Sequence, residues 1–118
     1  MRYSLTELLD QLHRDGAVAL YLSQGFAPVF AVPSRPYSAE LPSVSLFPVG
    51  GPILTREDLT GIIQIMRDMG YYVGTSGYVG ICELRYRSGT GDLDVFIFTS
   101  EETTRIEFRQ PGRYETRS

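Results

Sequence analysis

The side chains able to make or break bonds are few in this chain, and their spacing assembles no familiar catalyst. His13 is the only imidazole and Cys82 the only thiol, so a nucleophile and its base would have to come from His13 with Cys82 or Ser76. Gly74-Thr75-Ser76-Gly77 lacks the Gly-x-Ser-x-Gly spacing of a nucleophile elbow. Cys82 sits among apolar neighbours in a strand-like run, which predicts a buried and unreactive thiol. Gly74, Gly77 and Gly80 stand three apart and precede a strand pattern, whereas a dinucleotide fingerprint opens a helix. The one compact carboxylate pair, Asp92-Leu93-Asp94, has no ligand partner in sequence and reads as strand-end solvation or arginine pairing. All 11 basic residues are arginine. Without lysine, Schiff-base chemistry, a phosphate-loop lysine and a kinase-type lysine are excluded. The expectation is a protein that is not an enzyme, with no catalytic residue, no metal and no cofactor.

The rest of the composition fits a chain that recognises rather than reacts. With 118 residues, 42% hydrophobic and 21% charged, it reads as a single α+β domain with a core over about 4–110 and a flexible tail over 111–118. A domain of this length buries roughly 65% of its unfolded surface and needs no disulfide or metal to close. Net charge of -3 and a pI near 5.1 argue against nucleic-acid binding, which needs a basic surface. The single cysteine and the absence of a basic, apolar leader point to the cytoplasm. No apolar run reaches the roughly 18–20 residues that cross a bilayer, so membrane insertion is not expected.

Ser4 and Glu7 have the spacing of a capping box, and Leu5, Leu8, Leu9 and Leu12 form one stripe, predicting a helix over about 5–14 that stops at Gly16. Residues 17–22 and 29–32 read as a hairpin around a 23–27 turn. Five of the seven prolines fall in 33–52, which excludes helix there and leaves 44–47 as a short edge strand. Pro33-Ser34-Arg35-Pro36 has the minimal form of a polyproline ligand but reads as surface loop. Thr55 caps a second helix carrying Leu59, Ile62, Ile63, Met66 and Met69 inward, ended by Gly70. A glycine-rich turn over 70–80 then leads into an antiparallel meander of 81–87, 93–99 and 103–109.

The meander's middle strand is apolar on both faces: Leu93, Val95 and Ile97 on one, Phe96 and Phe98 on the other. Either the arginine stems of Arg85, Arg87, Arg105 and Arg109 lie across the phenylalanines, or a protein partner or second copy covers them. Those six residues form the candidate interface. The alternative is a small-ligand sensor with Tyr71, Tyr72 and Tyr78 lining a pocket.

The order of elements, together with Leu8-Leu9, residues 17–22, Gly25-Phe26-Ala27-Pro28-Val29 and Leu54-Thr55-Arg56-Glu57-Asp58, resembles the N-terminal PAS-like domain of type IV pilus retraction and type II secretion ATPases. The likeness spans about 5–109. Val18, Ala19, Leu20 and Tyr21 stand where that family has Ser-Asp-x-His, and apolar residues around Ala31 replace its second-strand arginine. The ATPase core is absent, so the resemblance implies no ATP hydrolysis. It implies a bacterial, PAS-like regulatory or assembly domain that packs against neighbouring motor subunits, a role that Phe96 and Phe98 would serve.

Overall fold

The computed structural model describes residues 3–33, 44–74, 76–87 and 89–111. The polyproline-like segment from Ser34 to Pro36 and the tail beyond Pro111 lie outside them. Two helices and six strands follow in the order α1 (Leu5–Arg14), β1 (Ala19–Ser23), β2 (Val29–Pro33), β3 (Val44–Pro48), α2 (Arg56–Asp68), β4 (Gly77–Arg85), β5 (Thr90–Thr99) and β6 (Thr104–Arg109). The strands form one antiparallel sheet in the order β3-β2-β1-β6-β5-β4. This is an α+β fold with the expected C-terminal meander. Among the described residues no helix is long and apolar enough to cross a membrane.

The α1 stripe of Leu5, Leu8, Leu9 and Leu12 is buried as its spacing requires, each leucine contributing about 1.5–3 kcal/mol on leaving water. Its capping box is only half formed. Ser4 Oγ accepts from the Glu7 N–H at 3.3 Å, but the Glu7 carboxylate pairs outward with Arg87 at 3.2 Å. The complete box caps α2: Thr55 Oγ1 accepts from the Asp58 N–H at 3.2 Å, and Asp58 Oδ2 accepts from the Thr55 N–H at 2.8 Å. Leu59, Ile62 and Met66 face the core, whereas Met69 occupies the C-cap and is exposed. Gly16 and Gly70, at φ 68° and 95°, take the left-handed conformation that ends each helix.

Both helices lie on one face of the sheet, α1 against β1 and α2 against β6. Leu20, Leu22, Phe30, Leu84, Val95, Ile97, Ile106 and Phe108 meet them there in one core. The seam of the sheet is the pairing of β1 with β6, Ala19 opposite Arg109 and Ser23 opposite Arg105, which joins the N-terminal hairpin to the meander. β4 begins at Gly77, earlier than the sequence reading placed it, and a register shift between Tyr78 and Gly80 re-aims its first residues. Tyr71 donates to the Glu83 carbonyl on this edge strand at 2.9 Å, occupying an acceptor that would otherwise be open to a foreign strand.

Candidate functional site

Among the described residues no helix lies on the other face of the sheet, and register fixes what stands on it. Val29, Tyr21, Glu107, Phe96 and Tyr78 form one cross-strand row from β2 to β4; Ala31, Ala19, Arg109, Asp94 and Ile81 form the next; Ser23, Arg105 and Phe98 form a third. The half of this face on β1 and β2 is closed, with Val18, Ala19 and Ala31 buried and Tyr21 packed on them. The half on β4, β5 and β6 is a ladder of aromatics and arginines. Tyr78 and Ile81 are exposed on it, and Phe98 is 36% exposed.

Arg109 lies over the Phe96 ring with 4.3 Å from Cζ to the centroid, and Arg105 over Phe98 at 4.6 Å. Each contact is worth about 0.5–1 kcal/mol at such sites. Glu107, flanked by both arginines, accepts from Arg109 Nη2 at 2.6 Å and stands 3.3 Å from Arg105 Nε. Its carboxylate is buried and holds the two cations in register. Phe96 stacks on Phe98 at 6.5 Å and meets Tyr78 at 4.9 Å between centroids. The Tyr78 hydroxyl donates to Asp94 Oδ1 at 2.7 Å. That bond, followed by desolvation and the Asp94 charge, raises the Tyr78 pKa above its ordinary value. Where the third row ends, a cleft of about 350 Å³ opens among Phe26, Phe98, Arg105, Ser100 and Thr103.

Four of the six interface residues expected from sequence therefore meet: Phe96, Phe98, Arg105 and Arg109. The arginine stems cover the phenylalanines in part, which is the intramolecular reading, and leave Phe98 half open. Arg85 is on the same strand as Tyr78 but at its far end, opposite Thr90. Arg87 follows the end of β4 and pairs with Glu7 of α1, away from the ladder. Strand alternation suggested both arginines, but β4 ends at Arg85 and the alternation stops with it.

The three tyrosines proposed for a pocket occupy separate environments. Tyr71 packs against the helix-side core and bonds Glu83, Tyr72 is 86% exposed, and Tyr78 joins the ladder on the opposite face. The glycine-rich segment does not fold them together because Tyr78 already belongs to a strand. Glu107 is the residue of this ladder missing from the interface expected from sequence. The signal available was its position midway between Arg105 and Arg109, which makes it the counter-ion of both.

The groups weighed for catalysis are each engaged elsewhere. His13 stacks with Tyr86 at 5.5 Å. Ser76 Oγ donates to the Ile97 carbonyl at 3.3 Å and accepts from the Thr99 N–H at 3.4 Å. Cys82 is fully buried on the helix side, where desolvation, with a smaller contribution from Asp94, pushes its thiol up to about 11. Among the described residues no three His, Cys, Asp or Glu side chains gather as a metal site.

No protein-family model, curated protein or solved structure matches this chain.

Proposed function

We propose that this chain is a non-catalytic docking module, an adaptor or regulatory domain that works through protein–protein contacts on the helix-free face of its sheet. The observation that supports this reading is the β4–β6 ladder, in which exposed Tyr78, Ile81 and Phe98 stand beside two arginines pre-oriented by a buried carboxylate. Aromatic residues and arginine are the side chains that carry most binding energy at protein interfaces. Because Glu107 and the phenylalanines already restrict Arg105 and Arg109, less rotamer entropy is lost when a partner closes over them.

The same face mixes Arg105 and Arg109 with Asp92, Asp94 and Glu107, which suits a protein surface of mixed charge and not a nucleic-acid backbone. The likeness to the N-terminal domains of pilus and secretion motors makes a cytoplasmic subunit of such a bacterial assembly the first partner class to try. A photo-crosslinking residue at Phe98, set beside one at exposed Thr60 on α2, tests the reading in the native cell extract. Adducts with a defined protein at position 98, lost when Tyr78→Asp is added, are expected. Equal labelling at both positions, or labelling indifferent to Tyr78→Asp, would count against the sheet face.

A further inference from the structure

The six-stranded sheet ends on β4 at one side and on β3 at the other, and the two edges differ. A sheet edge offers unpaired N–H and C=O groups to any strand that fits. On β4, Tyr71 occupies the Glu83 carbonyl, the register shifts between Tyr78 and Gly80, and Glu83 and Arg85 place charge along the strand. Among the described residues β3 has none of these guards. Its sequence, Val44-Ser45-Leu46-Phe47-Pro48, holds no charge, and its register with β2 runs without a break. Leu46 and Phe47, on opposite faces by alternation, are 60% and 55% exposed.

Register also fixes which backbone groups face outward. The Val49 N–H donates to the Pro28 carbonyl at 2.8 Å, in the same frame that sets Phe47 opposite Phe30 and Ser45 opposite Val32. Residues facing the neighbouring strand alternate in an antiparallel ladder, so Ser45, Phe47 and Val49 turn their N–H and C=O groups to β2. Val44, Leu46 and Pro48 turn theirs to the outer side. Pro48 has no N–H to give, which leaves Val44 and Leu46 carrying both a donor and an acceptor there. We propose that this edge binds a second copy of the chain, β3 against β3 antiparallel, about a two-fold axis through Ser45. In that register Val44 of each copy stands opposite Leu46 of the other, each N–H meets a C=O, and Pro48 lies clear of the pairing. Self-pairing sets a strand against its own charges, and like charges facing each other oppose it; the uncharged β3 meets that condition. The axis is normal to the sheet, so the pair forms one continuous sheet with all helices on one side and both aromatic–arginine ladders on the other. Few groups take part, which places the contact among weak, concentration-dependent interfaces. It is made by backbone groups of β3 and does not depend on the ladder having a partner.

The test is sedimentation velocity of the purified full chain from micromolar to millimolar concentration, with amide exchange followed at Leu46. A reversible monomer–dimer equilibrium is expected, and protection of the Leu46 amide should grow with concentration. Leu46→Pro removes an outward N–H that the ladder with β2 does not use, and should weaken dimerisation about tenfold or more. Leu46→Lys adds charge beside the axis and should also weaken it, with partial recovery in salt. The Val95 and Ile97 methyl signals should stay in place in both variants. Phe98→Asp should leave dimerisation unchanged, which separates this edge from the sheet-face reading. A chain monomeric throughout, Leu46 protection independent of concentration, a dimer indifferent to Leu46→Pro and Leu46→Lys, or a dimer lost in Phe98→Asp would each overturn the proposal.

Discussion

Glu107 and Arg109, two residues apart on β6, are joined by a 2.6 Å hydrogen bond on the helix-free face of the sheet, and the same carboxylate reaches Arg105. Replacing it with the neutral isostere, Glu107→Gln, removes the negative charge that lies beside both guanidiniums. Because both arginines are partly exposed, solvent screens much of the repulsion. The expected loss is about 1–2 kcal/mol, read as a lower urea midpoint at unchanged slope. Added salt should recover part of it, since screening weakens the repulsion that remains.

Cys82 gives the fold a pH dependence on the alkaline side. Its thiol is raised to about 11 in the native state, so the neutral form is favoured by folding. Stability from this group is complete below the unfolded value, near 9, and is lost as pH climbs through the native value. Tyr86, raised first by desolvation and then by Asp92, acts in the same direction. Urea midpoints should fall between about pH 9 and 11, with a smaller fall in Cys82→Ala. At neutral pH a thiol reagent should label Cys82 only as fast as the protein unfolds; rapid labelling of the native state would contradict the burial.

Gly61, inside α2, has open space where a methyl group would go. Nothing in the packing demands glycine there, so its helix cost is simply carried. Gly61→Ala should stabilise the protein by about 1 kcal/mol, measured as a rise in the thermal midpoint.

Gly91 is the opposite case. A Cβ there would stand 2.7 Å from the Tyr86 hydroxyl oxygen and 2.8 Å from its ring. Gly91→Ala should push Tyr86 out of its buried place and off His13, at a cost of about 1–3 kcal/mol. The His13 ring resonances should move with it, reporting the lost stacking.

Much of the architecture was legible because it rests on local periodicity. The leucine stripe of α1, the hairpin of residues 19–33 and the meander are written in spacings of 3.6 and 2. What escaped depends on pairings distant in sequence. Nothing near Arg109 announces that it stands opposite Ala19, and nothing in Glu83 announces Tyr71. Phe96 and Phe98 were recognisable as a site because a strand apolar on both faces asks for two covers. The burial of Glu107 was not, since alternation assigns a face but not the neighbours that crowd it.

The β1–β6 seam has a consequence for how the chain is made. During synthesis the hairpin emerges from the ribosome long before its sheet neighbour exists, and β1 waits with an unpaired edge until Thr104–Arg109 arrive. The last strand is thus the keystone of vectorial assembly: a nascent chain halted upstream of it displays two half-sheets with nothing to join them. Such truncated products are natural clients for chaperones and proteases, and the sheet closes in a late, concerted step once β6 is free to pair with β1.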